Sequence, residues 1–185
     1  MPDTAKVLKL KTQPGVAVRR PRADDGTDVN DLIGRCKPLD ENSIYCNLLQ
    51  CSHFADTSAV AEVNGQVQGF TSGYIVPARQ DRLFIWQVAV ASAARGKKLG
   101  MAMILDILRR PICRDVRELH TTITRDNKAS QAVFRSVAKT LETEAATNVL
   151  FHEEEHFDGQ QSSEVLWRIG PFDRSALIAG LTEAA

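Results

Sequence analysis

The first part of the chain alternates between strand-like and helix-like spacing of its apolar residues. Residues 16–21 predict a first strand, and a helix is expected from about residue 42 through Phe54. Between them, an acidic start leads into apolar residues three and four positions apart, which predicts a helix over 24–36. The residues on that helical face are Val29, Leu32, Ile33 and Cys36.

A hairpin and a central strand are predicted next. Asn64-Gly65 tolerates positive φ at both positions and favours a two-residue turn between strands. Residues 82–90, RLFIWQVAV, are almost continuously apolar, β-branched or aromatic. This pattern predicts a central strand that is covered on both faces.

The remaining pattern completes a sheet with helices on its faces, an α/β or α+β fold. Two helical stretches carry apolar residues three and four positions apart, and the last two strands enclose a polar loop over 152–163. In order, the elements are a helix ending at Pro111, a strand over 116–124, a helix capped by Asp126 or Asn127, strands over 143–151 and 164–169, and a short helix from Asp173.

Composition indicates one domain of ordinary globular type. The 185 residues are 43% hydrophobic and include 23 basic and 23 acidic residues. We expect a flexible arm over 1–15, a single domain over 16–172 and a tail or short helix over 173–185. The balanced charge gives no general reason to expect nucleic acid or an anionic membrane as a partner.

The sequence favours a cytoplasmic location. It has no apolar run of the roughly 20 residues that a membrane span needs, and its first residues lack the apolar core of a signal peptide. The four cysteines form no C-x-x-C pair and are expected to be thiols. Cys46, Cys51 and His53 do not have the spacing of a zinc site, and no metal is expected.

Residues 86–100, WQVAVASAARGKKLG, form a junction from strand to helix that can hold an anion. A helix start presents free N–H groups and the positive end of its dipole, so a diphosphate is the candidate ligand. Similar glycine and lysine clusters also occur in solvent-exposed turns that bind nothing. Neither a P-loop nor a G-x-G-x-x-G pattern is present, which disfavours a kinase or a Rossmann dehydrogenase.

The junction resembles the diphosphate motif of the GCN5-related N-acetyltransferases, in which Gln or Arg is followed by x-x-Gly-x and then Gly or Ala. Residues 95–100 read RGKKLG, with Lys98 where the family usually has glycine. The resemblance implies the fold of that family, a mixed, mostly antiparallel, twisted sheet of about seven strands flanked by about four helices. It also implies acetyl-CoA as the co-substrate.

Longer segments are similar to one branch of that family, the L-2,4-diaminobutyrate acetyltransferases of ectoine biosynthesis. They are residues 38–58, 83–90, 121–138 and 156–169, in the order of that branch. The resemblance implies transfer of an acetyl group from acetyl-CoA to the 4-amino group of L-2,4-diaminobutyrate. It also implies a cytoplasmic homodimer.

For acetyl-CoA, the resemblance implies that main-chain groups of the central strand contact the pantetheine arm and the thioester oxygen. It also implies that the loop over 95–100 binds the diphosphate, and that Asn127, at the start of the next helix, contacts the pantetheine arm. The cofactor residues are Gln87, Val88, Val90, Arg95, Gly96, Lys97, Lys98, Gly100 and Asn127. Phe134 stands where many members have a tyrosine that protonates the leaving thiolate. Another group or solvent must then supply that proton.

An amine attacks only when it is neutral, and an alkylammonium with a pKa of about 10.4 needs a base at pH 7. A carboxylate suits that role, and the Val88 N–H is the candidate oxyanion donor. The resemblance favours four substrate contacts, of which all but Trp86 are also candidate catalytic residues: Asp40, Tyr45, Trp86 and Glu164. His156, in the loop on the expected substrate side, is a further candidate contact. Gln161 stands where several relatives are expected to have histidine.

Other interpretations of these residues stay open. Asp40 can cap the second helix, Tyr45 and Trp86 can be core aromatics, and His156 can be a hydrogen-bonded structural residue. Residues 153–155 can be a solvated charge run. An acetyltransferase for another small amine, polyamine or peptide, and a non-catalytic acyl-CoA sensor, are the alternative functions.

Overall fold

The computed structural model describes residues 15–37, 39–175 and 177, and it contains a seven-stranded sheet. The strands are β1 (Val16–Arg19), β2 (Ala59–Val63), β3 (Gln66–Val76), β4 (Arg79–Val90), β5 (Glu118–Ile123), β6 (Ala145–Phe151) and β7 (Glu164–Ile169). Their order in the sheet is β1-β2-β3-β4-β5-β7-β6. Neighbours are antiparallel except for β4 and β5, which run parallel.

The α-helices of the described residues are α1 (Gly26–Arg35), α2 (Ile44–Ser52), α3 (Leu99–Arg109), α4 (Lys128–Thr140) and the short α5 (Glu153–Phe157). Ser43 caps α2 by accepting from the Cys46 N–H, and Asn127 caps α4 by accepting from the Ser130 N–H. Within this part of the chain, no helix is both long and apolar enough to cross a membrane.

The predicted order of elements and the predicted fold class are confirmed. The hairpin turns at Asn64-Gly65, where both residues have positive φ. The expected loop over 152–163 is wrong in part, because α5 lies within it. Residues 1–14 and 178–185 lie outside the described part of the chain, as does nearly all of the expected helix from Asp173, so those boundaries remain predictions.

One apolar core lies on each face of the sheet, and the smaller one covers only part of its face. The larger core joins α3 and α4 to the sheet, with Leu83 and Ile85 of β4 and Leu119 of β5 at its centre. The smaller core lies beneath α1 and includes Phe70 of β3 and Ala89 of β4. On this face of the sheet, α1 packs on β3 and β4. The part of the same face that belongs to β5, β7 and β6 therefore lies next to α1 and is not covered by it.

β4 and β5 separate in the middle of the sheet. They pair at three positions, from Arg82 opposite Glu118 to Phe84 opposite His120, and then each strand continues to Val90 and Ile123 without the other. The strands therefore open into a cleft between their carboxyl ends. This cleft positions the candidate site.

A bulge in β4 changes which side chains reach the cleft. Ile85 pairs with Gly73 and Gln87 pairs with Ser72, so Trp86 is an extra residue in its strand. The side chains of Ile85 and Val88 both pack on the core beneath α3. The side chains of Trp86 and Gln87, which lie between them, therefore point to the opposite face of the sheet, on the side of α1 and α2. The prediction that both faces of this strand are covered is wrong at Trp86, which is 52% exposed.

Candidate active site

Two adjoining cavities occupy the cleft between β4 and β5. One, of about 290 Å³, extends toward the start of α3, and we call it the cationic cavity because Lys37, Arg95 and Lys98 line it. The other, of about 730 Å³, extends toward β7, and we call it the acidic cavity because three carboxylates line it. Both cavities are bounded by Val88 and Asn127, so one elongated molecule, or two molecules in contact, can span them.

The start of α3 forms the floor of the cationic cavity. Lys98 precedes the helix with φ +59°, a left-handed conformation that explains why glycine is usual at this position of the motif. A Cβ at Gly100 would lie 3.2 Å from a Val88 methyl and 3.5 Å from a Val133 methyl, so a glycine lets the helix start approach the cleft closely. The first N–H groups of the helix have no intrahelical partner and suit an anion.

Charge in the cationic cavity is of one sign. Lys37, Arg95 and Lys98 line it together with Gly96, and none of its described lining residues is acidic. Lys97 lies on the same loop but does not line the cavity. A diphosphate group fits this combination of helix start and cations.

Strand geometry directs main-chain groups of β4 into the cleft. The Ala91 N–H donates to the Gln68 carbonyl, on the β3 side, at 2.9 Å. Since N–H groups alternate along a strand, the Val90 and Val88 N–H groups point to the opposite side, where β5 has separated. The Val90 carbonyl does lie on that side, because it accepts from the Cys36 thiol at 3.4 Å. The Val88 N–H therefore faces the cleft.

The acidic cavity brings together residues that are far apart in the sequence. Its carboxylates are Asp40 from the α1–α2 connection, Asp126 from the turn before α4, and Glu164 at the start of β7, and Lys128 is the one cation among its described lining residues. Burial raises the pKa of Glu164, and the charges of Asp40 and Asp126 raise it further, while a hydrogen bond from Thr122 lowers it. An ammonium group would relieve this repulsion.

The structure decides several of the alternatives left by the sequence. Asp40 does not cap α2, because Ser43 does. Tyr45 and Trp86 are not core aromatics, since they are 68% and 52% exposed. His156 lies on α5, where its Nδ1 accepts from the His152 N–H at 3.0 Å, as in the structural interpretation.

The predicted residues divide between the two cavities and the surface. Most of the predicted cofactor residues line the cationic cavity: Val88, Val90, Arg95, Gly96, Lys98, Gly100 and Asn127. Four predicted residues line the acidic cavity besides Val88 and Asn127: Asp40, Trp86, Gln87 and Glu164. Among the described residues, Tyr45 and His156 line neither cavity.

Sequence reasoning missed other lining residues, notably Asn42, Thr122 and Ser130. Thr122 had a usable signal, because strand alternation places it on the opposite face from the buried Leu119, Thr121 and Ile123. Ser130 lies one helical turn before Phe134, and both residues line both cavities. Its hydroxyl is therefore on the side where a tyrosine would be expected in other members.

The three buried cysteines, Cys36, Cys51 and Cys113, offer no easily formed thiolate. Burial raises the pKa of Cys51 to about 12 and that of Cys113 to about 11. Burial also raises the pKa of Cys36, which lines the cationic cavity. Within the described residues, no group of three or more His, Cys, Asp or Glu side chains is arranged to hold a metal ion.

Comparison with known proteins identifies the family of this chain. Residues 27–138 match the model of the acetyltransferase (GNAT) family. The chain is 46% identical over 159 residues to the L-2,4-diaminobutyric acid acetyltransferase of Methylotuvimicrobium alcaliphilum, which covers 86% of this chain and 92% of that protein. It is 43% identical over 151 residues to the enzyme of that name from Vibrio cholerae, with 82% and 87% covered.

A solved structure agrees in fold and sequence. Diaminobutyrate acetyltransferase EctA from Paenibacillus lautus, in complex with its substrate L-2,4-diaminobutyric acid and coenzyme A, superimposes with a TM-score of 0.81 at 38% identity. The match covers 85% of this chain and 96% of that one. This chain therefore belongs to the acetyltransferase (GNAT) family and, within it, to the L-2,4-diaminobutyric acid acetyltransferases.

Proposed function

We propose that this protein transfers the acetyl group of acetyl-CoA to the 4-amino group of L-2,4-diaminobutyrate, which gives N4-acetyl-L-2,4-diaminobutyrate for ectoine biosynthesis. The observation that carries the proposal is the pair of adjoining cavities of opposite charge. A diphosphate carrier suits the cationic cavity, and a diamine suits the acidic cavity. The relatives described above are named for this reaction.

Acetyl-CoA is held by the cationic cavity and by β4. Arg95, Lys98 and the free N–H groups at the start of α3 bind its diphosphate, and the cleft-facing main chain of Val88 and Val90 binds its pantetheine arm. When bound, acetyl-CoA supplies the thioester carbonyl that the amine attacks. The Val88 N–H donates to the oxygen of that carbonyl and stabilises the negative charge that develops there.

The diamine is held by opposite charges in the acidic cavity. Asp40 and Glu164 attract its two ammonium groups, and Lys128 offers a positive charge to its carboxylate. The exposed ring of Trp86 lies on the same wall and supplies an apolar contact and a cation–π surface for the carbon chain and an amine. Tyr45, on the first turn of α2, lines neither cavity, and its contact with the diamine rests on the family resemblance alone.

Proton transfer is assigned to side chains at the meeting point of the cavities. Glu164 is the candidate base, because its raised pKa makes its carboxylate a better proton acceptor than an ordinary glutamate. Ser130 lines both cavities and offers a hydroxyl to the leaving thiolate in place of the tyrosine that Phe134 replaces. The raised pKa values of Cys51 and Cys113 make these two thiols unfavourable acyl carriers, and the proposed route is direct attack by the amine.

A thiol-release assay with acetyl-CoA and a panel of amines tests the reaction. We expect turnover with L-2,4-diaminobutyrate to exceed that with polyamines and peptides. Robust turnover only on a polyamine or peptide would instead indicate another acetyltransferase. Tight acetyl-CoA binding without turnover on any amine would indicate an acyl-CoA sensor.

Paired variants test the assignment of the cavities. We expect Asp40→Asn and Glu164→Gln to raise the KM for the diamine about tenfold or more while the KM for acetyl-CoA changes little, because each removes a charged partner of an ammonium. Arg95→Ala should do the reverse. Equal effects on both substrates would contradict the assigned roles.

We also propose that the protein is a homodimer that acts in the cytoplasm. The face of β5, β7 and β6 beside α1 carries Leu166 and adjoins the stacked rings of Tyr74 and Phe84, whose centroids are 5.2 Å apart, and a second copy would cover it. Four free cysteines suit a reducing compartment.

Light scattering tests the dimer. We expect twice the mass of one chain for the unchanged protein and a shift toward one chain in Leu166→Lys. Leu166 is partly buried. Ile112→Lys is the control, because Ile112 is an exposed apolar residue that follows α3 at another part of the surface. A single-chain mass for the unchanged protein would contradict the dimer.

A further inference from the structure

Gln87 joins the central strand to the connection between α1 and α2. Its Nε2 donates to the Asp40 carbonyl at 3.0 Å, and its Oε1 accepts from the Asn42 Nδ2 at 3.2 Å. Gln87 is 8% exposed, and both hydrogen bonds are partly buried. Gln87 thus hydrogen-bonds to the connection at residues 40 and 42. One of these is Asp40, whose carboxylate lines the acidic cavity.

The bulge at Trp86 makes this contact possible. In a regular strand, neighbouring side chains point to opposite faces, and Gln87 would then face away from Trp86. Because Trp86 is an extra residue in β4, both side chains turn to the α1–α2 side. Trp86 remains exposed in the acidic cavity, while Gln87 is buried against the connection.

The other attachments of the connection lie nearer to the cationic cavity or within the connection itself. Cys36 donates to the Val90 carbonyl at 3.4 Å, and Lys37 forms an ion pair with Glu41. Ser43 caps α2 at the far end. Of the described attachments to β4, Gln87 is therefore the one that holds the substrate side of the connection.

The position of Asp40 matters because its charge acts on Glu164. The negative charge of the Asp40 carboxylate contributes to the raised pKa of Glu164, so the two carboxylates repel each other across the cavity. A short diamine has two ammonium groups at a fixed separation along its chain. Displacement of Asp40 would change the match between that separation and the two carboxylates.

We propose that Gln87 is a positioning residue for the diamine: its two hydrogen bonds hold the α1–α2 connection so that Asp40 faces Glu164 at the spacing that the substrate requires. The inference rests on the proposed substrate roles of Asp40 and Glu164. In the resemblance to the family, Gln87 was assigned instead to main-chain contacts with acetyl-CoA. The two roles differ in which substrate should respond to a change of its side chain.

The experiment is a double-mutant cycle of Gln87→Met and Asp40→Asn, with the KM of both substrates measured. Methionine keeps the length and volume of the side chain but removes both hydrogen bonds. We expect Gln87→Met to raise the KM for the diamine about tenfold, equivalent to about 1.4 kcal/mol. The KM for acetyl-CoA should change less than about twofold. In the Asp40→Asn background, Gln87→Met should add little, because its effect acts through Asp40.

Gln50→Met is the matched control. Gln50 is also buried, at 1% exposed, but its Nε2 lies 3.5 Å from the Cys46 sulfur within its own helix. We expect no change in either KM. Asn42→Ala removes the partner of one of the two Gln87 hydrogen bonds and leaves Gln87 itself unchanged. We expect it to raise the KM for the diamine by a smaller factor than Gln87→Met does. It keeps the test valid if Gln87→Met lowers the yield of folded protein.

Three outcomes would overturn the inference: additive effects in the cycle, equal increases in both KM values, or an effect of Gln50→Met as large as that of Gln87→Met. A normal diamine KM in Gln87→Met, with a raised one in Asp40→Asn, would reject the role of Gln87 alone. A normal diamine KM in Asp40→Asn would instead reject the proposed substrate role of Asp40, and the inference with it.

Discussion

Glu164 illustrates how one residue can oppose folding and favour binding. Burial and the charges of Asp40 and Asp126 raise its pKa, and the hydrogen bond from Thr122 offsets part of this. Without a ligand, three carboxylates line one cavity and repel each other. With a diammonium ligand between them, the same charges become favourable. The raised pKa of Glu164 therefore has consequences for the pH dependence of activity and for the stability of the ligand-free protein.

The first concerns the pH dependence of activity. Glu164 must be ionised to accept a proton, so kcat/KM for the diamine should fall at acidic pH along a limb set by its raised pKa. Asp40→Asn removes one negative neighbour, so the pKa should decrease and the limb should move to lower pH. Rate profiles between about pH 4 and 8 measure this shift. A limb that stays in place, or moves to higher pH, would contradict the coupling of these two carboxylates.

The second concerns the stability of the ligand-free protein. Because the folded-state pKa of Glu164 is raised, the folded chain binds its proton more tightly than the unfolded chain does, and stability decreases as pH rises through that pKa. Glu164→Gln removes this effect and should raise Tm at pH 7 by about 1–3 °C, with a smaller gain at acidic pH. Glu155→Gln, on exposed α5, is the control. A lower Tm in Glu164→Gln at pH 7 would argue against an unfavourable charge.

At the scale of elements, the start of α3 depends on close packing against β4 and α4. Gly100 is the residue that permits it, since a Cβ there would lie 3.2 Å from the Val88 side chain. Gly100→Val should push β4 and α4 away from the helix start, lowering Tm by several degrees and raising the KM for acetyl-CoA at least about tenfold. Thermal melts and kinetics measure both effects.

The control for this substitution is Gly34→Val on α1. A Cβ at Gly34 would meet its nearest neighbour, a Glu41 carboxylate oxygen, only at 3.9 Å, so the added side chain has space. We expect the KM for acetyl-CoA to remain unchanged in this variant. A comparable increase in both variants would mean that the effect is not specific to the start of α3.

The elements also show what the sequence could and could not predict. The hairpin turn and the cap of α4 were predictable because they depend on the local residues Asn64-Gly65 and Asn127. The cap of α2 was not predicted, since it is Ser43 rather than Asp40. The side-chain role of Gln87 was not, because the bulge at Trp86 is a feature of the pairing with β3 and leaves no mark in the apolar pattern. Strand alternation could place Thr122 on the face opposite Leu119, but whether that face lines a cavity depends on where β4 and β5 separate. Asn42 was missed because its place depends on how the α1–α2 connection lies against β4.

At the scale of the whole molecule, the cleft between β4 and β5 holds two cavities of opposite charge in a chain without net charge. The chain has 23 basic and 23 acidic residues, yet the cationic cavity has cations without described acids, and the acidic cavity has three carboxylates. Local charge, rather than net charge, therefore matches each substrate. It also means that each cavity can be tested by its own ligand.

Acetyl-CoA alone should stabilise the protein, since a ligand that binds only the folded state adds free energy in proportion to the logarithm of one plus the ratio of its free concentration to Kd. At a concentration of 100 times Kd the gain is about 2.7 kcal/mol, which corresponds to a rise of about 5–10 °C in Tm for a chain of this length. Arg95→Ala, if it weakens binding about tenfold, should reduce that rise to about half at the same concentration. Lys139→Ala, in the last turn of α4, should keep the full rise. Calorimetry measures all three, and an undiminished rise in Arg95→Ala would show that the diphosphate is not held by the loop before α3.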